Sequence, residues 1–274
     1  MSGARRLCLV TGASAGIGAA LARIYAQTGW DLVLTARRAE RLEALAGELT
    51  AAYGTQCGIF PADLADPAAP RRIVGEIEAA GRPLDGLVNN AGYGGASGFL
   101  SAPWADHANF LQVMVNAPVE LAHLVMPGMI ERGYGRVLNV ASIAGMMPPA
   151  RGQSLYGAAK GFLIEASRAM TLEAEGTRVH VTALCPGLTR TEFHAVAGME
   201  AQLSGLPRFV WQDAETVARA GYEACEADAA MRIPGWHNRI GVALFRLLPA
   251  GAGMELMAAA SGKTLTAAKG ESRR

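Results

Sequence analysis

Tyr156 and Lys160 stand four positions apart, the spacing that puts two side chains on one face of a helix. An ammonium beside a phenol favours the phenolate and brings a group of pKa about 10 nearer to neutral pH. Such a tyrosine can protonate a developing alkoxide or take a proton from an alcohol. Y-x-x-x-K by itself is a common helix face. Ser142, fourteen residues upstream at the end of an apolar run, gives the pair its context, because ligands of open α/β sheets bind at the carboxyl ends of strands.

A second group of residues has the form of a phosphate cradle. Thr11-Gly12-Ala13-Ser14-Ala15-Gly16-Ile17-Gly18 follows a strand-like run and opens a helical one. Glycines there allow a tight turn and let a pyrophosphate sit against backbone N–H groups at the helix N-terminus. The spacing is G-x-x-x-G-x-G. Past the next apolar run comes Thr35-Ala36-Arg37-Arg38, with no acid before Glu40. An acid there would accept from the ribose 2′-OH of NAD, whereas a guanidinium can hold a 2′-phosphate bidentately. Arg37 and Arg38 therefore point to NADP(H), and Ser14 is a further candidate for the phosphate.

These groups need a scaffold, and the chain supplies alternating elements. Strands are expected at Leu7–Thr11, Asp31–Ala36, Gln56–Pro61, Leu84–Asn89, Gly135–Ala141 and Arg178–Leu184. Helical patterns fall between them at Ile17–Thr28, Ala39–Ala52, Pro67–Ala80 (N-capped by Asp66), Pro103–Arg132 and Ser154–Glu175. The alternation of apolar strands with helices predicts a Rossmann-type, doubly wound parallel sheet with helices on both faces. Beyond Pro186 the pattern loosens. A loop with some helix spans about 187–207, Asp213 should cap a helix running to Ala227, and Met231–Pro234 could be a last strand. A helical extension covers about 236–260, and a basic tail follows at 263–274. One domain over residues 1–262 is expected, because the 274-residue chain has no repeat and no Pro- or Ser-rich linker.

Composition narrows the function. A net charge of +1 gives no field that would draw nucleic acid or an anionic membrane. No run reaches the roughly 18 apolar residues of a membrane span, and Leu7–Val10 is too short for a signal peptide. Cys8, Cys57, Cys185 and Cys225 form no C-x-x-C pair. They read as reduced thiols of a cytoplasmic protein. The five histidines are scattered, so no metal site is expected.

Taken in order, the motifs resemble the short-chain dehydrogenase/reductase family over roughly residues 5–192. Thr11–Gly18 matches the family's cofactor turn, which would bring Gly12, Ser14, Ala15, Gly16, Ile17 and Gly18 to the cofactor. Asp63-Leu64 matches the pair near the adenine, and Asn89-Asn90-Ala91-Gly92 matches the N-N-A-G that borders the cofactor. Asn116, Ser142, Tyr156 and Lys160 match the catalytic tetrad. Pro186-Gly187-Leu188-Thr189-Arg190-Thr191 matches the segment beside the nicotinamide. The resemblance implies that Ser142 bonds the carbonyl oxygen and Tyr156 donates the proton. It implies that Lys160 holds ribose hydroxyls and lowers the phenol pKa, and that Asn116 ties Lys160 through water to solvent. It also implies a small-molecule carbonyl or alcohol substrate and a homodimer or homotetramer. By the same analogy, Tyr93 to Ser97, Met146, Met147, Gln153 and the Leu188–Leu206 loop line the substrate pocket.

Two other readings compete. A redox sensor that binds NADP(H) without turnover would need none of the four tetrad residues. An NAD-dependent alcohol dehydrogenase would call for an acid near Arg37. The tail from Trp236 to Met257 exceeds the compact family core and could cap the pocket, dock on a neighbouring subunit or touch a membrane.

Overall fold

The computed structural model describes residues 5–94, 99–149, 155–193, 206–249 and 251–259. Six strands form a parallel sheet: β1 (Leu7–Thr11), β2 (Asp31–Ala36), β3 (Cys57–Pro61), β4 (Gly86–Asn89), β5 (Gly135–Val140) and β6 (Val179–Leu184). A short β9 (Met231–Arg232) completes it, in the order β3-β2-β1-β4-β5-β6-β9. β1, β4 and β5 are buried along their whole length, as strands covered on both faces must be. β3 lies at the edge and is only partly covered. A pair absent from the sequence reading, β7 (Thr189–Arg190) with β8 (Gln212–Asp213), ties the start of the expected loop to the chain beyond it.

Helices α1 (Gly16–Gln27), α2 (Ala39–Tyr53) and α7 (Ala214–Glu226) cover one face, and α3 (Ala69–Ala79) and α5 (Ala117–Arg132) the other. α4 (Trp104–Leu111) runs through a π-helical turn, Gln112–Asn116, into α5 without a break. α6 (Tyr156–Glu173) follows β5, α8 is Trp236–Leu247, and residues 251–259 form a last helix, α9. Asp213 caps α7 as expected, accepting from the Thr216 N–H at 2.7 Å.

Two expectations need correction. α3 begins at Ala69, because Asp66 spends its carboxylate on the Ala68 N–H in a tight turn, and Pro70, not Pro67, stands in the first helical turn. The continuous Trp104–Arg132 helix is long and apolar enough to pass for a membrane span, with mean hydropathy 1.4 over its best window. Half of that window is buried, since Val113, Leu121, Val125 and Met129 pack into the core against α3 and the sheet.

Candidate active site

Strand order reverses between β1 and β4, and Thr11 joins their carboxyl ends. Its hydroxyl donates to Val88 O (3.1 Å) and accepts from the N–H groups of Asn90 (2.9 Å) and Ala91 (3.0 Å). Asn90 Nδ2 donates in return to Thr11 O (2.9 Å) and Gly12 O (3.2 Å). The two loops are thereby held so close that a Cβ on Gly12, where φ is +65°, would stand 2.7 Å from Asn90 Nδ2. A Cβ on Gly18 would collide with the same amide and with Gly12 O. Ala15, the cap residue of α1, offers no side-chain cap to the helix N–H groups, so that terminus is left to bind an anion.

The opening at this junction is a cavity of about 860 Å³. Gly12, Ser14, Ala15, Gly16, Ile17, Arg37, Arg38, Asp63 and Leu64 line one end. Asn90, Ala91, Gly92, Ser142, Tyr156, Lys160, Pro186, Gly187, Thr189 and Thr191 continue it. Most of the sequence-derived site thus converges on one space. At the phosphate end, Arg38 directs Nε and Nη2 at Ser14 Oγ (3.4 and 3.2 Å), and its Nη1 pairs with Glu192 Oε2 at 3.0 Å. Glu192 Oε1 also meets Arg41 Nη1 at 2.6 Å, and the two guanidiniums hold its carboxyl below the usual range. Arg37 is exposed and makes no hydrogen bond or ion pair among the described residues.

Ser142 ends the β5 segment and caps a 3₁₀ turn, Ile143–Gly145, accepting from the Ala144 N–H at 3.1 Å. The turn lies directly on α6: a Cβ on Gly145 would stand 2.5 Å from Gly161 N. This backbone contact sets Ser142 beside the Tyr156 phenol, and the serine hydroxyl also donates to Pro186 O at 3.4 Å. Burial pushes the phenol up to about 12, only partly offset by Ser142. Lys160 is buried and donates from Nζ to Val140 O at 2.7 Å. Burial lowers it to about 8, with the neighbouring Cys185 pulling the other way. The Lys160 ammonium, turned to that carbonyl, lies 6.0 Å from the centroid of the Tyr156 ring.

Asn116 stands apart. It closes the π turn, its side chain is exposed and donates to Gln112 Oε1 at 3.0 Å, and it is not among the described residues lining the cavity. Of the expected substrate pocket, Tyr93, Gly94, Met147, Leu188, Thr189, Thr191, Glu192 and Phe193 line the cavity. Met146 packs instead into the core with Leu163 and Ile164. Positions 95–97, Gln153 and 194–205 lie outside the described residues.

A family model described as short chain dehydrogenase matches residues 6–201. The chain belongs to the short-chain dehydrogenase family. Sulfoacetaldehyde reductase 2 of Chromohalobacter salexigens is 36% identical over 192 residues, 69% of this chain and 75% of the relative. The NADP-dependent 3-hydroxy acid dehydrogenase of Escherichia coli K12 matches at the same identity and coverage. A short-chain dehydrogenase from Sphingobium yanoikuyae, solved in complex with NADPH, superposes with a TM-score of 0.79 at 31% identity, over 92% of this chain and 95% of that one.

Within this short-chain dehydrogenase, Asn89 of the expected N-N-A-G segment is held by Asn139 and Ser167, which escaped the sequence reading. Asn89 Nδ2 donates to Asn139 Oδ1, Asn139 Nδ2 to Ser167 Oγ (both 2.9 Å), and Ser167 Oγ to Leu163 O (2.6 Å). This buried chain ties β4 and β5 to α6, the helix that carries Tyr156 and Lys160. Its signal was a lone asparagine in the apolar run Gly135–Val140 and a serine on the helix face of Lys160. Asn238 of α8 packs where a Cβ on Gly187 would go and donates to Gln212 Oε1 at 2.9 Å. Glu192, 154 positions from Arg38, and Met257 had no local signal.

Proposed function

We propose that this chain is an NADP(H)-dependent reductase of a ketone or aldehyde of apolar character. The observation that carries this reading is that Ser142, Tyr156 and Lys160 line the same glycine-floored cavity as Arg37 and Arg38. A cofactor fits the residues present: the Cβ-free cradle at Gly12 and Gly16, the uncapped N-terminus of α1 for its pyrophosphate, and Arg37, Arg38 and Ser14 for its 2′-phosphate. NADP dependence in the relative from Escherichia coli and the NADPH complex of the Sphingobium protein agree with that choice.

The bound cofactor supplies hydride; the chain supplies positioning and a proton. Ser142 donates to the carbonyl oxygen and stabilises the charge that develops there. The Tyr156 O–H gives up its proton to that oxygen. Burial holds this phenol in its protonated form through the neutral range, the form that can donate to a developing alkoxide. Lys160, beside Gly92 and Val140 O, places a buried positive charge near the reacting oxygen and near a cofactor ribose. Asn116 closes the π turn, where the Ala117 N–H reaches back to Gln112 O and a step is lost from the α-helical ladder, and its side chain stays outside the described lining of the cavity. The four cysteines are free, in keeping with a cytoplasmic enzyme.

The test is NADPH consumption by the purified protein over a panel of aldehydes, aryl ketones, diketones and 3-oxoacyl esters. Turnover with a member of the panel, at a rate well above that with NADH, is the expected result. Tight NADPH binding with no turnover across the panel would favour a non-catalytic, NADP(H)-binding sensor.

A further inference from the structure

The cavity continues past the matched family region into the C-terminal extension, where α9 contributes Met257 to its wall. The helix reaches that position by close backbone packing. Gly253 is buried, and a Cβ there would stand 3.1 Å from Pro148 Cγ, so the helix rests on the segment that follows the Ser142 turn. Gly253 and Met257 are four apart and share this inward face. Met254 and Leu256 remain about half exposed, each at 53%.

The two ends of the cavity differ in chemistry. Among the described lining residues, the charged side chains are Arg37, Arg38, Asp63, Glu192 and the catalytic Lys160. The first four gather around the phosphate end. The opposite end, beyond Tyr156 and the ring of Phe193 tilted against it at 5.7 Å, is bounded by Met147, Pro148, Pro149 and Met257. A carboxylate or sulfonate brought there would lose its hydration without finding a described cation to pair with. A thioether on an unbranched chain instead adapts to an apolar surface.

We infer that Met257 is a specificity-determining residue, by which the C-terminal helix closes the substrate end of the cavity around an uncharged, apolar carbonyl compound and sets how large that compound can be. This rests on the reductase reading above and deepens it. Removing the thioether lengthens the cavity, and a larger ring at the same position shortens it.

The experiment compares Met257→Ala and Met257→Trp with the wild type, using Met254→Ala on the exposed face of the same helix as control. The probes are butanone, valerophenone and acetoacetate, with NADPH. Two quantities are read: kcat/KM, and the ketone concentration that half-changes the fluorescence of enzyme-bound NADPH. The valerophenone-to-butanone ratio should rise about tenfold in Met257→Ala and fall by at least as much in Met257→Trp, the scale on which small pocket changes discriminate. Met254→Ala should leave it unchanged, NADPH affinity should hold in all variants, and acetoacetate should be the poorest probe. Ratios within twofold of wild type in both Met257 variants, or acetoacetate as the best probe, would overturn the inference. If no probe is turned over but valerophenone binding still follows the size of residue 257, the reductase reading falls and the wall role stands. If neither turnover nor binding responds, the wall role falls.

Discussion

Arg38 and Glu192 meet at 3.0 Å across the mouth of the cofactor cradle, joining the end of β2 to the segment after β7. Arg41 holds the other carboxylate oxygen. The pairs are about half exposed, so each contributes little to stability. Their consequence is electrostatic: Glu192 occupies the guanidinium that a 2′-phosphate would use, and sets a like charge beside it. Glu192→Gln should therefore raise the NADPH-over-NADH affinity ratio by a few-fold, measured by fluorescence titration. A strap that merely holds cofactor in place would instead weaken both cofactors alike and leave the ratio unchanged.

Arg37 lines the same end of the cavity and has no competing partner among the described residues. A charge-assisted hydrogen bond of ~1.5–3 kcal/mol corresponds to roughly 10- to 150-fold in affinity. Arg37→Asp should shift preference toward NADH by that order in kcat/KM. An unchanged preference would mean that Arg38 and Ser14 hold the phosphate without it.

Lys160 gives the fold a pH dependence of definite sign. Its folded pKa of about 8 lies below the value of an ordinary lysine. Between the two, the unfolded chain binds a proton that the folded chain does not. Stability from this group therefore rises with pH across that window, by on the order of 3 kcal/mol in total. Lys160→Met lacks the titrating group. The stability of the wild type relative to this variant, from urea unfolding at pH 7.5 and pH 10, should increase with pH. A flat or falling difference would show that the ammonium is not penalised by burial.

The Asn89–Asn139–Ser167 chain ties α6, the helix of Tyr156 and Lys160, to the sheet. Ser167→Ala leaves Asn139 Nδ2 buried without an acceptor, an expected loss of about 1–3 kcal/mol, visible as a lowered urea midpoint. Full stability in this variant would mean that a neighbouring group or water takes over the bond.

Much of this arrangement was legible in the chain because its signals are local. Strand runs such as Leu7–Thr11 and turns such as Gly12–Gly18 carry their meaning within a few residues. Tyr156 and Lys160 declare themselves by helical spacing. What was not legible depends on partners distant in sequence. Glu192 acquires its role from Arg38, 154 positions away. Met257 acquires its role only when Gly253 settles on Pro148. The direction of Lys160 also escaped, because its bond to Val140 O depends on a partner 20 positions away. The start of α3 slipped by two residues because Asp66 can bond the Ala68 N–H from a turn as readily as from a cap.

The central claim is that Tyr156 delivers the proton. The measurement that tests it is NADPH oxidation by Tyr156→Phe beside the wild type, on the best ketone of the panel, with NADPH binding followed by fluorescence in the same samples. Unchanged NADPH affinity is expected, with a loss of kcat of about 10²–10⁴-fold, the scale of general acid catalysis. Undiminished turnover with intact binding would contradict it and move the proton donor elsewhere in the cavity.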